Sequence, residues 1–218
     1  MTNVGVLVSG GGTNLQVIID RIADGSLGGC RIAVVISSRP GAYALERAKA
    51  AGIPRLCISK KQFEKPELFD AALVAALKGH GVSLVVTAGY LTIFGQAVID
   101  AFPNSVINVH PTLIPLFCGK GFYGLEPHRR VLEYGMKVSG ATTHFVWLDA
   151  DTGPVIMQKA VNVEEGDTPE SLQQRIMKEA EQIILPETIR LFAENRLEID
   201  GRRVRVLAAR NNGDGGAK

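Results

Sequence analysis

The stretch that decides the fold is Val4–Asn14, which reads VGVLVSGGGTN. It joins a short apolar run to a glycine-rich turn, and helical spacing of apolar residues follows as far as Ala23. Apolar runs of this length are typical of a strand that is buried on both faces. Because a helix that follows such a turn presents unpaired N–H groups at its positive end, the turn can bind a phosphate. A tight turn without any ligand is the alternative.

The same alternation of apolar runs and helical segments continues along the chain. Strands are predicted at 4–8, 32–36, 56–59, 83–87, 106–109, 142–147 and 155–163, with a hairpin at 197–207; helical segments are predicted at 14–23, 42–51, 66–77, 94–102, 128–134 and 168–195, and a long loop at 111–124. Strands that alternate with helices form parallel sheets. The sequence therefore predicts an α/β fold with a Rossmann-like, mainly parallel sheet, helices on both faces, and a mixed C-terminal half. We predict one domain at 1–208 and a flexible tail at 209–218.

The composition excludes several classes of protein. Of 218 residues, 46% are hydrophobic and 21% charged, and the 24 basic and 22 acidic residues leave a net charge of +2. This balance lacks the basic face of a nucleic-acid-binding protein. The apolar runs are too short to span a bilayer, no signal peptide is recognisable, and the three cysteines form no Cys-x-x-Cys pair. We expect a cytoplasmic protein with no membrane or nucleic-acid partner.

An amide and an imidazole stand at the end of a predicted strand, in Asn108-Val109-His110-Pro111. Alternation places Asn108 and His110 on one side of that strand, at the edge where parallel sheets bind ligands. Both groups can donate to one oxygen, as the oxyanion of an acyl transfer requires. The turn at Asp151 can supply a carboxylate that orients the imidazole or steers a water. A structural histidine and an ordinary Asp-x-Gly turn are the alternatives.

Other catalytic arrangements are not supported. The glycine turn lacks the Gly-Lys-Ser/Thr of a phosphate-binding loop and only loosely resembles the dinucleotide motif Gly-x-Gly-x-x-Gly. The four histidines fall on separate predicted elements without His-x-x-x-His spacing, so no metal is expected. There is no Gly-x-Ser-x-Gly, and Cys118 has no evident base nearby.

Four motifs occur together in order: Ser9–Gln16, Ala88–Leu91, Ile107–Pro115 and Asp151–Ile156. Over about residues 3–197 the chain resembles the phosphoribosylglycinamide formyltransferase family of folate-dependent enzymes. The resemblance implies that 10-formyltetrahydrofolate is the co-substrate and that its formyl group passes to the amine of glycinamide ribonucleotide, in purine biosynthesis. It implies neither a metal nor a particular oligomer, so a monomer or a homodimer is expected.

The resemblance also implies roles for individual residues. The implied catalytic residues are Asn108, His110 and Asp151; the implied substrate-binding residues are Gly12, Thr13, Asn14 and Glu181; the implied folate-binding residues are Leu91, Thr92, Ile93, Phe94 and Asn108. The chain departs from the family in three places. Its loop at 116–124 is longer than in many members and contains Lys120, Glu126 replaces a histidine that some members have, and Glu64-Lys65-Pro66 replaces an arginine that faces the folate.

Three rival functions are open at this point. A formyl-folate deformylase is expected to have an additional N-terminal domain, and a methionyl-tRNA formyltransferase an additional C-terminal domain for RNA. A nucleotide-binding domain without catalysis would use the glycine turn alone. That rival would leave the Asn-x-His pair and the Asp151 turn without a function.

Overall fold

A computed structural model of the chain describes residues 1–209. The strands are β1 (Thr2–Val8), β2 (Cys30–Ser37), β3 (Arg55–Cys57), β4 (Leu84–Thr87), β5 (Val106–His110), β6 (Val138–Phe145), β7 (Val155–Asn162), β8 (Leu197–Asp200) and β9 (Arg203–Val206). The helices are α1 (Thr13–Ala23), α2 (Tyr43–Ala50), α3 (Pro66–Gly79), α4 (Gln96–Ala101), α5 (Glu126–Glu133), α6 (Pro169–Ile176) and α7 (Gln182–Ala193). The strands form one sheet in the order β3-β2-β1-β4-β5-β6-β7-β9-β8.

The N-terminal half of the sheet is parallel and covered on both faces. Successive residues of β1 alternate between two cores: Val6 and Val8 pack with α1, α2 and α7, whereas Leu7 packs with α3 and α4. All three side chains are fully buried. Burying one such side chain contributes about 1.5–3 kcal/mol, which explains why the apolar run, rather than an alternating pattern, marks this strand.

The sheet becomes mixed at β5. β6 pairs antiparallel with both β5 and β7, and it places His144 opposite Asn108. β8 and β9 form the hairpin expected around Asp200-Gly201, and β9 pairs with β7 in parallel. The predicted fold class, a mainly parallel α/β sheet that is mixed toward the C-terminal half, is confirmed.

Several strand ends differ from the prediction, and two of these differences have an identifiable cause. β6 begins at Val138, four residues before the predicted start at 142. A glycine such as Gly140 argues against a strand when only the sequence is considered. In the structure a Cβ at this position would collide with the carbonyl of Lys159 on β7, so the close pairing of the two strands requires glycine. β3 ends at Cys57, because Ser59 instead caps the short helical turn Lys60–Gln62.

The long C-terminal helix predicted at 168–195 is interrupted. A π-helical turn at Met177–Glu181 separates α6 from α7. Pro186 lies in the first half of α7, and it has no N–H to donate to the carbonyl one turn earlier. The irregular turn ends at Glu181, ahead of the proline, and it places Glu181 at the cleft described below.

The remaining predictions concern the termini and the surface. The loop at 111–124 is present as a segment without regular strands or helices. The tail predicted at 209–218 falls, from residue 210 onward, outside the described residues, and the single domain stays a prediction. None of the helices in the described part of the chain combines the length and the apolar character needed to cross a bilayer.

Candidate active site

A cleft of about 450 Å³ opens at the carboxyl ends of β1, β4 and β5. This volume lies in the range of small-molecule sites, and the position is the one at which open α/β sheets bind ligands. Six segments line the cleft: the glycine turn after β1, the segment after β4, the end of β5, the loop before α5, the Asp151 turn, and one face of α6 with the π turn.

The glycine turn is shaped by its backbone. Gly12 immediately precedes α1 with φ +71°, and a Cβ on it would lie 2.6 Å from that of Ala44. The carbonyl of Gly10 accepts a hydrogen bond from Ala44 N (3.1 Å), and that of Gly11 accepts one from Arg47 Nε (2.8 Å). These bonds tie the turn to α2. Since the first N–H groups of a helix have no partner within it, α1 can present them to an anion.

Two of the predicted substrate-binding residues contact one another. Asn14 Nδ2 donates to Glu181 Oε2 over 2.7 Å, although 167 positions separate the two residues. Both side chains are buried, with 8% and 6% of their surface exposed. Burial raises the pKa of Glu181, and the hydrogen bond from Asn14 opposes that change. The structure thus places Gly12, Thr13, Asn14 and Glu181 at one end of the cleft.

The structure also brings Asn108, His110 and Asp151 together. Asn108 Nδ2 donates to Asp151 Oδ1 over 3.3 Å, and His110 Nδ1 lies 3.4 Å from Asp151 Oδ2. The amide of Asn108 and the ring of His110, on neighbouring inward positions of β5, therefore converge on one carboxylate. Both distances are long for hydrogen bonds to a carboxylate, so a substrate oxygen can compete for these donors.

His144 is a further residue of this centre, and the sequence reasoning did not assign it. Its Nε2 lies 3.1 Å from Asn108 Nδ2 and 3.3 Å from Asp151 Oδ1, and its Nδ1 donates to the carbonyl of Phe145 over 2.8 Å. The hydroxyl of Thr87 donates to Asn108 Oδ1 over 2.6 Å, which orients the amide nitrogen toward Asp151. The position of His144 beside Asn108 follows from the antiparallel register of β5 and β6. That register cannot be derived from the sequence.

The loop before α5 is bonded to His110 and Asp151. Phe117 O accepts a hydrogen bond from His110 Nε2 over 3.1 Å, and Gly119 N donates to Asp151 Oδ2 over 2.8 Å. Phe117 (φ 47°) and Asp151 (φ 57°) are two of the four non-glycine residues with positive φ in the described chain. Such a conformation costs about 1–3 kcal/mol, and it concentrates at functional sites. Here both strained residues hold the ring of His110.

A close backbone approach places Asp151. A Cβ on Gly153 would collide with the carbonyl of Phe145, so the turn can pack against the end of β6 only with glycine at this position. This contact folds the Asp151 turn back over the sheet toward β5. The Asp-x-Gly pattern is therefore more specific here than an ordinary surface turn.

Burial and charge act in opposite directions on the titratable groups. Burial lowers the pKa of His110, whereas the charge of Asp151 and the Phe117 carbonyl oppose that decrease. For Asp151, burial acts to raise the pKa, but the hydrogen bond from His144 and the charge of His110 outweigh it, and the pKa is lowered. Asp151 is therefore ionised at neutral pH. His128, which is fully buried behind this centre, has its pKa lowered to about 4, first by burial and then by repulsion from His110.

The predicted folate segment is only partly at the cleft. Leu91 and Ile93 line it, and Leu91 N donates to the hydroxyl of Ser9 over 2.9 Å. The side chain of Phe94 packs in the core with α3 and α4, with 8% of its surface exposed, and Thr92 does not line the cleft. Alternation in the extended segment explains this outcome, because only every second side chain can face the ligand.

Comparison with known proteins identifies the class to which this site belongs. The model of the family described as formyl transferase matches residues 2–189. The chain belongs to the formyl transferase family.

Particular members of that family are similar over most of the chain. The chain is 36% identical to a chloroplastic phosphoribosylglycinamide formyltransferase of Arabidopsis thaliana, over 96% of this chain and 71% of the relative. It is 35% identical to the phosphoribosylglycinamide formyltransferase of Bacillus subtilis, over 82% and 88%. The crystal structure of glycinamide ribonucleotide transformylase 1 from Symbiobacterium toebii superposes with a TM-score of 0.90 at 50% identity, covering 95% of each chain. Of the trifunctional purine biosynthetic proteins that it also matches, the chain spans 13–19%.

These findings confirm the predicted resemblance to phosphoribosylglycinamide formyltransferases and the predicted enzyme class, a formyltransferase. Residues 1–209 contain no group of three or more His, Cys, Asp or Glu side chains placed to hold a metal ion.

Proposed function

We propose that the chain transfers the formyl group of 10-formyltetrahydrofolate to the amine of glycinamide ribonucleotide. The observation that carries this proposal is the convergence of Asn108 Nδ2 and His110 Nδ1 on the Asp151 carboxylate, in the same cleft as the glycine turn. The centre supplies two donors for an oxyanion and a carboxylate for a proton, and the turn supplies a site for a phosphate. A formyl transfer to a phosphorylated amine needs each of these groups.

The substrate is held at the end of the cleft that contains Asn14 and Glu181. Its phosphate accepts from the N–H groups at the start of α1, and the buried carboxylate of Glu181 accepts from hydroxyls of the sugar. The amine then lies toward Asp151, at the other end of the same 450 Å³ cleft. The apolar side chains of Leu91 and Ile93 border the folate ring. Fixing both reactants in one orientation can lower the barrier by roughly 7–11 kcal/mol.

The neutral amine nitrogen attacks the formyl carbon, and a carbon–nitrogen bond forms while the formyl oxygen gains negative charge. That oxygen takes over the hydrogen bond that Asn108 directs at Asp151, and the ring of His110, when it carries a proton on both nitrogens, donates to it from Nδ1 while Nε2 stays bonded to the Phe117 carbonyl. Asp151 accepts a proton from the amine, directly or through water, and delivers it to the folate nitrogen. The bond between that nitrogen and the formyl carbon then breaks, and the carbonyl reforms on the product.

The contacts of Asp151 support this role. The lowered pKa keeps the carboxylate ionised and able to accept a proton. Asn108 Nδ2 and Gly119 N donate to it, and the rings of His110 and His144 lie 3.4 Å and 3.3 Å from its oxygens, so it is held in place. A cytoplasmic location, the lack of a nucleic-acid partner, and a monomeric or homodimeric state stay predictions.

A spectroscopic assay with a 10-formyl-folate analogue tests the proposal. We expect release of the deformylated folate to depend on glycinamide ribonucleotide and to be nearly lost in Asp151→Asn, with unchanged circular dichroism. Asp149→Asn, an exposed carboxylate in the same turn, is the matched control. Formate release without the amine would instead indicate a deformylase, and nucleotide binding without any transfer would indicate a binding domain.

A further inference from the structure

The charges that line the cleft are unevenly distributed. Among the lining residues in the described chain, Asp151 and Glu181 are acidic, and Lys120 is the sole lysine or arginine. An organic phosphate carries up to two negative charges, which two nearby carboxylates would repel. A cation near the phosphate would offset this repulsion, and among the lining side chains Lys120 can supply it; the guanidinium of Arg47, beside the glycine turn, is already bonded to Gly11 O and Gln16 Oε1.

The loop that contains Lys120 is fixed at both ends. On one side of Lys120, Gly119 N donates to Asp151 Oδ2 over 2.8 Å; at the other end, Gly124 O accepts from Gln173 Nε2 over 3.0 Å. Gln173 lines the cleft together with Met177 and Glu181, at intervals of four residues along the same helical face. The loop thus crosses the cleft from the reacting centre to the helical face that carries Glu181, which is the half proposed for the phosphorylated substrate.

The ammonium group of Lys120 is free to bind a ligand. Its Nζ makes neither an ion pair nor a hydrogen bond with any side chain or carbonyl of residues 1–209. The residue is exposed at the tip of the loop, between Gly119 (φ 90°) and Gly121 (φ 96°). Both glycines hold a backbone conformation that other residues rarely adopt. Because neither glycine has a side chain, the residues on each side of Lys120 leave its side chain unobstructed.

We propose that Lys120 binds the phosphate group of the amine substrate, opposite the N–H groups of the glycine turn. This inference rests on the proposed function and extends it, because it assigns a substrate-binding role to the loop at 116–124. The lysine forms a charge-assisted hydrogen bond and neutralises the phosphate next to Glu181. It positions the substrate and takes no part in the proton transfer.

Steady-state kinetics of Lys120→Met test this role, since methionine keeps an unbranched side chain without the charge. We expect KM for glycinamide ribonucleotide to rise about 10- to 100-fold, the range for a lost charge-assisted hydrogen bond. Turnover at saturation and KM for the formyl donor should stay within about threefold. Lys120→Arg should recover most of the affinity. Lys137→Met, an exposed lysine outside the cleft, should change none of these constants.

Glycinamide riboside, which lacks the phosphate, makes the test specific. The wild-type enzyme and Lys120→Met should use it with the same KM, because the contact that the substitution removes is already missing. An equal penalty with both substrates, an unchanged KM for the ribonucleotide, or an increase in KM for the formyl donor alone would overturn the proposal.

Failure of the proposed function gives a different result. If the wild-type protein does not formylate glycinamide ribonucleotide, the reaction is wrong, and Lys120 is then tested by calorimetric binding of the ribonucleotide and the riboside. A difference in affinity that Lys120→Met abolishes supports the phosphate contact. Equal binding of both compounds to the wild type contradicts it.

Discussion

At the glycine turn the cleft is shaped by backbone atoms from one short segment, whereas at the reacting centre it is shaped by side chains from several separate elements. The turn consists of residues 10–12 and the start of α1, and its carbonyls are bonded to α2. The centre combines Asn108 of β5, His144 of β6 and Asp151 of a later turn. A local backbone motif suffices to bind an anion, but the directed donors of a reacting centre require long-range folding. Substitutions at the two ends should therefore affect different kinetic constants.

The largest effect should follow changes at the reacting centre. His110→Ala should lower kcat by about 10²–10³-fold, since losing one oxyanion donor costs about 2.7–4 kcal/mol. Asp151→Asn should lower kcat by about 10²–10⁴-fold, since it removes the group that transfers the proton. KM for either substrate should change by no more than a few-fold. Steady-state kinetics together with thermal unfolding measure both quantities. Near-normal turnover in either variant would remove that residue from the catalytic set.

A second prediction concerns the stability of the reacting-centre end in acid. His128 is buried, neither of its ring nitrogens has a hydrogen-bond partner among residues 1–209, and its pKa is lowered to about 4 in the folded protein. Between about pH 6.5 and 4 the unfolded chain binds a proton at this residue that the folded chain does not. The free energy of unfolding therefore decreases as the pH is lowered through that interval. The loss from this group amounts to roughly 3 kcal/mol.

His128→Leu isolates this contribution. The variant should unfold at neutral pH with a free energy equal to or above that of the wild type, because it removes two unpaired buried nitrogens. Its stability should decline less between pH 6.5 and 4. Urea unfolding at several pH values measures the difference, and parallel curves for both proteins would contradict the prediction.

At the other end of the cleft, Gly12→Ala should weaken both folding and substrate binding. The added methyl meets Ala44 at 2.6 Å, and the residue must hold φ +71°. We expect a loss of roughly 1–3 kcal/mol in the free energy of unfolding and an increased KM for glycinamide ribonucleotide. Gly11→Ala is the matched control, because nothing lies within 4 Å of its added methyl. Equal effects of the two substitutions would show that crowding at α2 is not the cause.

The smallest effect is expected from Glu181→Gln. The amide oxygen can still accept the hydrogen bond from Asn14, so the fold should keep its stability. Loss of the charge should raise KM for the ribonucleotide roughly fivefold, equivalent to about 1 kcal/mol, without changing kcat. Kinetics of this variant beside Asp151→Asn would show whether the two ends divide binding and turnover between them.

The same contrast explains how much the sequence could predict. The strand, turn and helix at Val4–Ala23 follow from local pattern, and so do most elements up to β5. The pairing of Asp151 with Asn108 and His110 was anticipated from the motifs, since the residue types suggest the chemistry. His144 was not assigned, because its place opposite Asn108 depends on an antiparallel register that no local pattern states.

Two further features depend on packing. The early start of β6 depends on Gly140, which a reader of the sequence takes as a strand breaker, although it permits the contact with β7. The π turn that ends at Glu181 interrupts a helix whose apolar spacing looks continuous. Hydrophobic periodicity reports neither feature, because the first depends on an atom of another strand and the second leaves the apolar spacing unchanged.

The bonds from His110 to the Phe117 carbonyl and from the Gly119 amide to Asp151 have a thermodynamic consequence. Whatever changes the proton occupancy of either side chain also changes how firmly the intervening residues are held. Such coupling is reciprocal. A shorter or more flexible segment would change the pKa values of His110 and Asp151, although it neither adds nor removes a titratable group there. Variation in this segment can thereby adjust the working pH of the enzyme while the reacting atoms stay the same.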